Sequence, residues 1–539
     1  MVLAPTSNNT LNSGATTDTL SSREIINEGT FTQTSDSRVK LENGATFVNN
    51  GTYNLNSEPY PTWITDSISF KLGEAPNKFI NNGLFQRTEG KIALEVTPEF
   101  ENNGVIKAQS SGIQIKNPIT IVKSEQPGHQ PKCGDPVDCA TGNFSESQTD
   151  LLIKGRGVPL ELTRTYSAQA AAAAVSPGAF GYGWTSSFSE HLLVEGGGEK
   201  VTLMGGDGST IPFTRAGAGP AYVGPAWALS SLSGSPEAGY TLACADQTVL
   251  SFSGAGRLEA VVDRNGNKTT LSYDEAGRLK AVTDASGRQL TLAYNLGGQV
   301  ESVKDPMGHV VKYAYESGSL ASVTLPGQAS PRWKFKYDAS HRLTTMTDGR
   351  EGKTVNEYDT SSRVKSQTDP AGHTLAFEYA GFHTKITNKA TGAVTDEWFT
   401  SKNQPYSITH GYGTVSATTE TFSYDSAGQL VRETDGNGHT TTYGYDGEGN
   451  RTSEKNAAGD ETKWTYNGTH DVVSVTTPSG ETTTITRDAN GNPETISRPA
   501  PEEATQTYSL NYDEFGELEN LTDPLERTWA YSYDSQGDL

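Results

Sequence analysis

From Phe252 onward, apolar and polar residues alternate in runs of five to seven, and each run ends in a turn signal. In RLKAVTD, Leu279, Ala281 and Thr283 share one side while Lys280, Val282 and Asp284 share the other. In RQLTLAY, Leu290, Leu292 and Tyr294 lie on one face. A period of two filled with Thr, Val and Tyr is the pattern of a strand. Helical spacing is not sustained in this region. Between the runs stand DRNGN, DASGR, DPMGH, DGREG, DPAGH, DGNGH and DPLER. Asp bonds the backbone, Pro presets φ and Gly accepts a positive φ, so these are tight turns. Strand, turn, strand, turn predicts an antiparallel meander.

The alternation is itself periodic. An aromatic residue recurs at Phe252, Tyr273, Tyr294, Tyr315, Tyr337, Tyr358 and Tyr379, then at Tyr424, Tyr445, Tyr466, Tyr512 and Tyr533. Arg487 takes the register once, and the gap from Tyr379 to Tyr424 fits two long steps. The usual step is 21 residues, and Asp263, Asp284, Asp305, Asp348, Asp369, Asp435 and Asp523 each follow the register by eleven. About fourteen registers would give roughly 28 strands, too many for a flat sheet. An all-β strip, curled or spiralled with one face dry or enclosed, is the predicted fold.

The unit YDEAGRLKAVTDASGRQLTLAY resembles the YD repeats of the Rhs family, which also includes the shell-forming component of insecticidal toxin complexes and the teneurins. The resemblance implies a β-strip wound into a hollow shell. Residues 134–166, GDPVDCATGNFSESQTDLLIKGRGVPLELTRTY, resemble the domain that precedes the repeats in bacterial Rhs proteins. So do GYGWTSSFSEHLLV from Gly181 and MGGDGSTIPFT from Met204. Cys139 is an unusual filler in this pattern, and Ala170–Ala174 looks like an insertion that could form a helical turn or two before VSPG stops it. In the family, a core-associated segment follows the repeats. It plugs the shell, can carry an aspartate-dependent self-cleavage site and releases a variable C-terminal toxin. Here the chain stops at YSYDSQGDL, a few residues into a new unit. A half-unit leaves strand edges unpaired, so this end is expected to be a truncation or to be completed by another chain.

Upstream the pattern changes. IINEGTF at Ile25, FVNNGTY at Phe47, FINNGLF at Phe79 and FENNGVI at Phe100 form a second repeat, of a kind stacked in parallel β-helices. Four rungs of a small β-solenoid are predicted, with a small β-sandwich as the alternative. The domain reading is therefore a Ser/Thr/Asn-rich disordered tail over 1–22, an Asn/Gly-rich β-repeat domain over 23–125, a pre-repeat β domain over 126–250 and YD repeats over 251–539.

Composition narrows the function. The chain has 539 residues, with 42 basic against 64 acidic side chains and a net charge of −22. That charge argues against broad binding to nucleic acid, whose phosphates it would repel. No apolar run reaches the length of a membrane span, and the first 20 residues lack a charged and an apolar region of a signal peptide. With 23 Tyr and 17 Phe, the chain has the apolar area to fold.

Candidate chemistry is sparse. Cys133 and Cys139, in CGDPVDC, could form a disulfide in an oxidising compartment, or remain two small apolar side chains. Their spacing exceeds that of common zinc pairs, and no second pair exists. Cys244, in YTLACADQTVLSF, is expected to be buried in a strand. His309, His373 and His439 share one turn position, which points to turn structure. DRNGNK and DGNGHT start like calcium loops but lack the later acidic ligands. Glu502 and Glu503 are adjacent in a polar loop and do not make a glycosidase pair. No nucleotide-binding loop or catalytic elbow occurs. No catalytic, cofactor or metal residue is predicted, and no enzyme.

The expected function is the structural shell of a secreted Rhs-type toxin, enclosing and delivering a C-terminal toxin against competing bacteria or hosts. Its expected partners are a toxin cargo or shell-completing segment, and secretion machinery. The alternative is a cell-surface adhesin binding a glycan.

Overall fold

The computed structural model describes residues 136–217, 219–499 and 505–539, with Lys132–Cys133 and the strands lying between Val2 and Ile115. It divides into two units, Met1–Ser124 with Tyr379–Phe382, and Glu125–Glu378 with His383–Leu539. Among the described residues no helix is long and apolar enough to cross a membrane.

The first unit is a parallel β-solenoid. Three five-stranded sheets are each built from every third strand. Thr46–Asn49 pairs in parallel with Glu24–Asn27 on one side and with Lys78–Asn81 on the other. Asn27, Asn49, Asn81 and Asn102 thereby fall at one register position, which is the structural meaning of the repeated Asn–Gly motif. Parallel registers select the solenoid over the sandwich. One coil lies outside the sequence reading. Residues 1–22, expected as a tail, contribute Val2–Leu3, Asn8–Leu11 and Thr17–Ser21, which pair with the next coil. An open parallel edge recruits a polar segment through main-chain hydrogen bonds alone, so composition is a poor guide there.

The second unit opens with the two-stranded hairpin of Lys132–Cys133 and Val137–Asp138, followed by two small antiparallel sheets. One holds Ser145–Ile153, Leu160–Ser167 and Trp184–Ser186; the other runs from His191–Glu195 to Tyr222–Val223. The alanine run forms a short helix, Ala168–Ala173, whose first turn is capped by Ser167 accepting from the Ala170 N–H at 3.3 Å. Then one sheet of 29 strands runs in strict sequence order from Ser230–Ser235 to Thr528–Ala530. It begins upstream of residue 251, because pairing needs alternation and a turn but not the tyrosine mark. The missing register also appears. Phe399 pairs with Pro405 across the same ladder shift that marks Tyr358 and Tyr424, and it is 2% exposed. Its turn begins with Thr400 in place of Asp, which hid it.

The two halves of the meander are packed differently. The residue two before each register aromatic lies on the same face as that aromatic. In the first half this row is buried at Leu271, Tyr313, Phe335 and Phe377. The Phe180 ring stands 5.3 Å from Tyr313, and the Trp184 ring 5.3 Å from Phe335, so the pre-repeat segment covers the row at these two positions. In the second half the equivalent Phe422, Tyr443, Trp464, Ile485 and Leu510 are only half-buried.

Candidate functional site

Most YD hairpins are held by two devices. The first is the aspartate turn. Asp274 Oδ1 accepts from the Ala276 and Arg278 N–H groups at 3.0 and 2.9 Å, and Oδ2 accepts from Arg278 Nε at 2.8 Å. At Asp305, Asp369 and Asp435 the partner ring is His309, His373 and His439, at 2.8, 2.9 and 3.0 Å. At Asp263 the partner is the Asn267 amide at 2.9 Å. These carboxylates spend their lone pairs on their own turns, which is why the calcium-like DRNGNK closes as a hairpin.

The second device is the register tyrosine. Beside each YD turn the ladder shifts, as between Ser272 and Tyr273, where Tyr273 pairs with Leu279. A bulge interrupts the regular exchange of hydrogen bonds there. The carbonyl at the bulge is taken by the next hairpin, for Tyr294 Oη donates to the Leu279 oxygen, 15 residues back, at 2.7 Å. Tyr273, Tyr315, Tyr358, Tyr445, Tyr466 and Tyr533 repeat this bond with the same 15-residue reach. Tyr424 spans 19 residues to the Pro405 oxygen at 2.8 Å, across a longer hairpin loop. Burial pushes the Tyr273 and Tyr294 phenols up to about 12, so they stay neutral donors. Arg487 replaces the phenol with its guanidinium, Nη2 reaching the Val472 oxygen at 3.0 Å. Phe252 has no hydroxyl and is buried, and Tyr337 accepts from Trp184 Nε1 at 2.9 Å. Tyr512 and Tyr379 end their strands at the same register position.

The pre-repeat domain caps one edge of the early repeats. The Val300 N–H donates to the Ala179 oxygen at 2.8 Å, Leu343 N–H to Tyr166 Oη at 2.8 Å and Val364 N–H to the Gly142 oxygen at 2.8 Å. The RTY motif supplies its core. Arg164 is fully buried and pairs with Asp150, Nη2 to Oδ1 at 2.9 Å, while Tyr313 Oη donates to Asp150 Oδ2 at 2.8 Å. Its guanidinium carbon lies 4.7 Å from the Trp184 ring centre.

The strip then meets itself. The turn at Asp263 lies against turns more than 200 residues later. Arg264 Nη2 bonds Asp471 Oδ1 at 3.0 Å and its Nη1 the Gly491 oxygen at 2.8 Å. Asn492 Nδ2 donates to Asn265 Oδ1 at 2.7 Å, and Asn267 Nδ2 to the Phe515 oxygen at 2.8 Å. The GRG loop fills the same seam: Arg156 pairs with Glu517 at 3.0 Å and stacks 3.8 Å over the Phe515 ring. Gly157 has φ +73°, and a Cβ there would stand 2.7 Å from Asn267 Cβ. Both constraints make glycine the residue that fits.

Two clusters lie apart from the repeats. Glu190 lines a cleft of about 370 Å³ with Thr163, Ser187, Asp207 and Ser209. Burial, and then Asp207, push its carboxyl up to about 7. Cys133 and Cys139 are joined as a disulfide with their Cα atoms 5.4 Å apart, and Glu397 lies beside them. Burial, and then Asp138 and Asp396, push the Glu397 carboxyl up to about 7 as well. Cys244 is half-buried at the end of Gly239–Cys244, and burial raises its thiol to about 11, which keeps it unreactive.

Comparison with known proteins agrees with the repeat pattern. Residues 252–289, 424–461 and 466–502 match the RHS Repeat family, and 134–213 match a domain of unknown function (DUF6531). No curated protein is similar at a significant level. Among solved structures, the crystal structure of TcdB2-TccC3-Cdc42 is 12% identical with a TM-score of 0.36, covering 75% of this chain and 24% of that one. The TcdB2-TccC3-TEV structure is 12% identical at 0.36, covering 70% and 24%. The Photorhabdus luminescens Tc holotoxin pore, carrying a TccC3 mutation, is 13% identical at 0.27, covering 70% and 26%. The chain spans about a quarter of the length of each of these chains. The three matched segments fall on tyrosine-locked hairpins of a single meander, so this part of the chain is built of RHS repeats.

Proposed function

We propose that this chain is part of the wall of a hollow shell that encloses a toxic protein and carries it out of the producing bacterium, without catalytic activity of its own. The observation that carries this reading is the seam between Arg264 and Asp471. A strip whose edge bonds to its own later edge winds around a space, whereas two sheets stacked face to face would fill it. The half-buried row from Phe422 to Leu510 supports the reading, since it leaves apolar area open to a bound chain. The cargo is a toxin segment, secretion is extracellular and the target is a competing bacterium or a host cell. The test is cryo-electron microscopy of the purified protein. A one-sheet wall curving around a lumen is expected. A closed sandwich with both faces of the meander packed would overturn the shell reading, and a glycan array would then test the adhesin.

A further inference from the structure

The hairpin of Lys132–Cys133 and Val137–Asp138 carries a cysteine on its first strand and another just after its second. It is seated on the meander where Thr384 Oγ1 donates to the Cys139 carbonyl at 2.6 Å. Thr384 pairs across the sheet with Glu397, so the same seating brings Glu397 beneath the two sulfurs. Glu397 Oε2 lies 3.9 Å from Cys133 Sγ, and one ligand atom from each of Cys133, Cys139 and Glu397 falls within 4.8 Å of the others. All three residues are buried, at 8%, 0% and 6% exposure.

The carboxylate has no suitable partner in this setting. The contact to Cys133 Sγ is a hydrogen bond only when Cys133 carries a proton, and a disulfide sulfur carries none. Among the described residues, no other side chain or N–H donates to the Glu397 carboxylate. The nearby His383 and Trp398 both donate to Asp396, at 2.5 and 3.0 Å. A buried carboxylate without a donor or cation is costly. Two sulfurs and one carboxylate converging on a point are the donor set of a borderline-soft divalent ion. With metal–sulfur and metal–oxygen bonds of about 2.3 and 2.1 Å, tetrahedral ligand atoms stand roughly 3.5–3.8 Å apart. The three ligand atoms lie within 4.8 Å of one another with the two sulfurs bonded, so reduction must part the sulfurs to reach this spacing.

We propose that, with both thiols reduced, Cys133, Cys139 and Glu397 bind one zinc ion, leaving a fourth position for water. The disulfide and the ion use the same sulfurs and exclude each other. Bound zinc would tie the hairpin to a strand 264 residues downstream, whereas the disulfide closes only the hairpin itself.

The test uses the chain reduced with a phosphine and desalted without oxygen. Titration with Co²⁺ is expected to give one thiolate-to-cobalt charge-transfer band saturating at one ion per chain, displaced by equimolar Zn²⁺. The oxidised protein should take up none. Glu397→Gln should weaken Zn²⁺ binding by about tenfold or more in competition with a chromophoric chelator. Cys139→Ser should abolish the band, and Glu397→Gln keeps the test decisive if that variant fails to fold. A reduced wild type that shows no band would overturn the site. Unchanged affinity in Glu397→Gln would overturn the ligand set.

Discussion

Tyr294 Oη donates to the carbonyl oxygen of Leu279 at 2.7 Å, so its hairpin is bolted to the bulge of the one before it. Removing the hydroxyl while keeping the ring isolates this bond. Tyr294→Phe should lower local stability by about 0.5–1.5 kcal/mol. Native-state hydrogen exchange of the two hairpins meeting at Leu279 measures it, and unchanged protection there would refute the lock.

Arg487 does the same work with different chemistry, reaching the Val472 oxygen at 3.0 Å. Arg487→Tyr should therefore be tolerated within about 0.5 kcal/mol, as a substitution that keeps the local features. Arg487→Ala should cost about 1.5–3 kcal/mol, because a charged donor is lost. Equal destabilisation by the two changes, read by exchange at Val472, would show that the register position has no hydrogen-bonding role.

The Arg164–Asp150 pair is fully buried, and Asp150 also holds Tyr313. Arg164→Met alone leaves a buried carboxylate and should cost about 3–5 kcal/mol. The double change Arg164→Met with Asp150→Leu should cost less than the single one, measured by denaturant unfolding. An additive double variant would mean the pair is not coupled.

The seam should loosen in acid. Burial opposes ionisation at Asp471, but Arg264, Thr469 and Arg487 together outweigh it and hold the carboxyl below its ordinary value of 3.8. A depressed folded value gives stability that is present above 3.8 and lost as the pH falls through the lower folded value. A donor–acceptor dye pair placed across the turns at Asp263 and Asp488 should separate in that acid window. In Asp471→Asn the separation should already be present at neutral pH.

Glu190 gives the opposite slope. Its folded value of about 7 lies above the ordinary 4.5, so its contribution is full below 4.5 and lost as the pH rises through 7. Glu190→Gln should therefore melt higher than wild type at about pH 8 and nearly the same at about pH 4, since both carboxyl states are then protonated. A constant difference across that range would remove Glu190 as the titrating group.

The hairpins were legible because their signals are local: alternation, Asp–Gly turns and an aromatic every 21 residues. What the aromatic does was not, because Tyr294 acts on a carbonyl in a different hairpin, through a bulge that leaves no mark in composition. Phe399 was hidden by a turn that starts with Thr400. The RTY motif was visible as a motif, but Asp150 as the partner of Arg164 follows only from strand register. Glu397 and Cys133 lie 264 residues apart, and no spacing rule connects them. The seam is invisible for the same reason, since Arg264 and Asp471 sit in turns that look like every other turn.

The 29 strands in strict sequence order have a mechanical consequence. A meander ties each strand only to its neighbours, so tension applied at one end is borne by one hairpin at a time. Pulled from the Tyr533 side, the sheet would peel strand by strand at a nearly level force. The Arg156–Glu517 contact would yield early, and Arg264–Asp471 would yield when the peel reached its turn. A wall built this way gives way by unspooling, and the length released reports how many hairpins have opened.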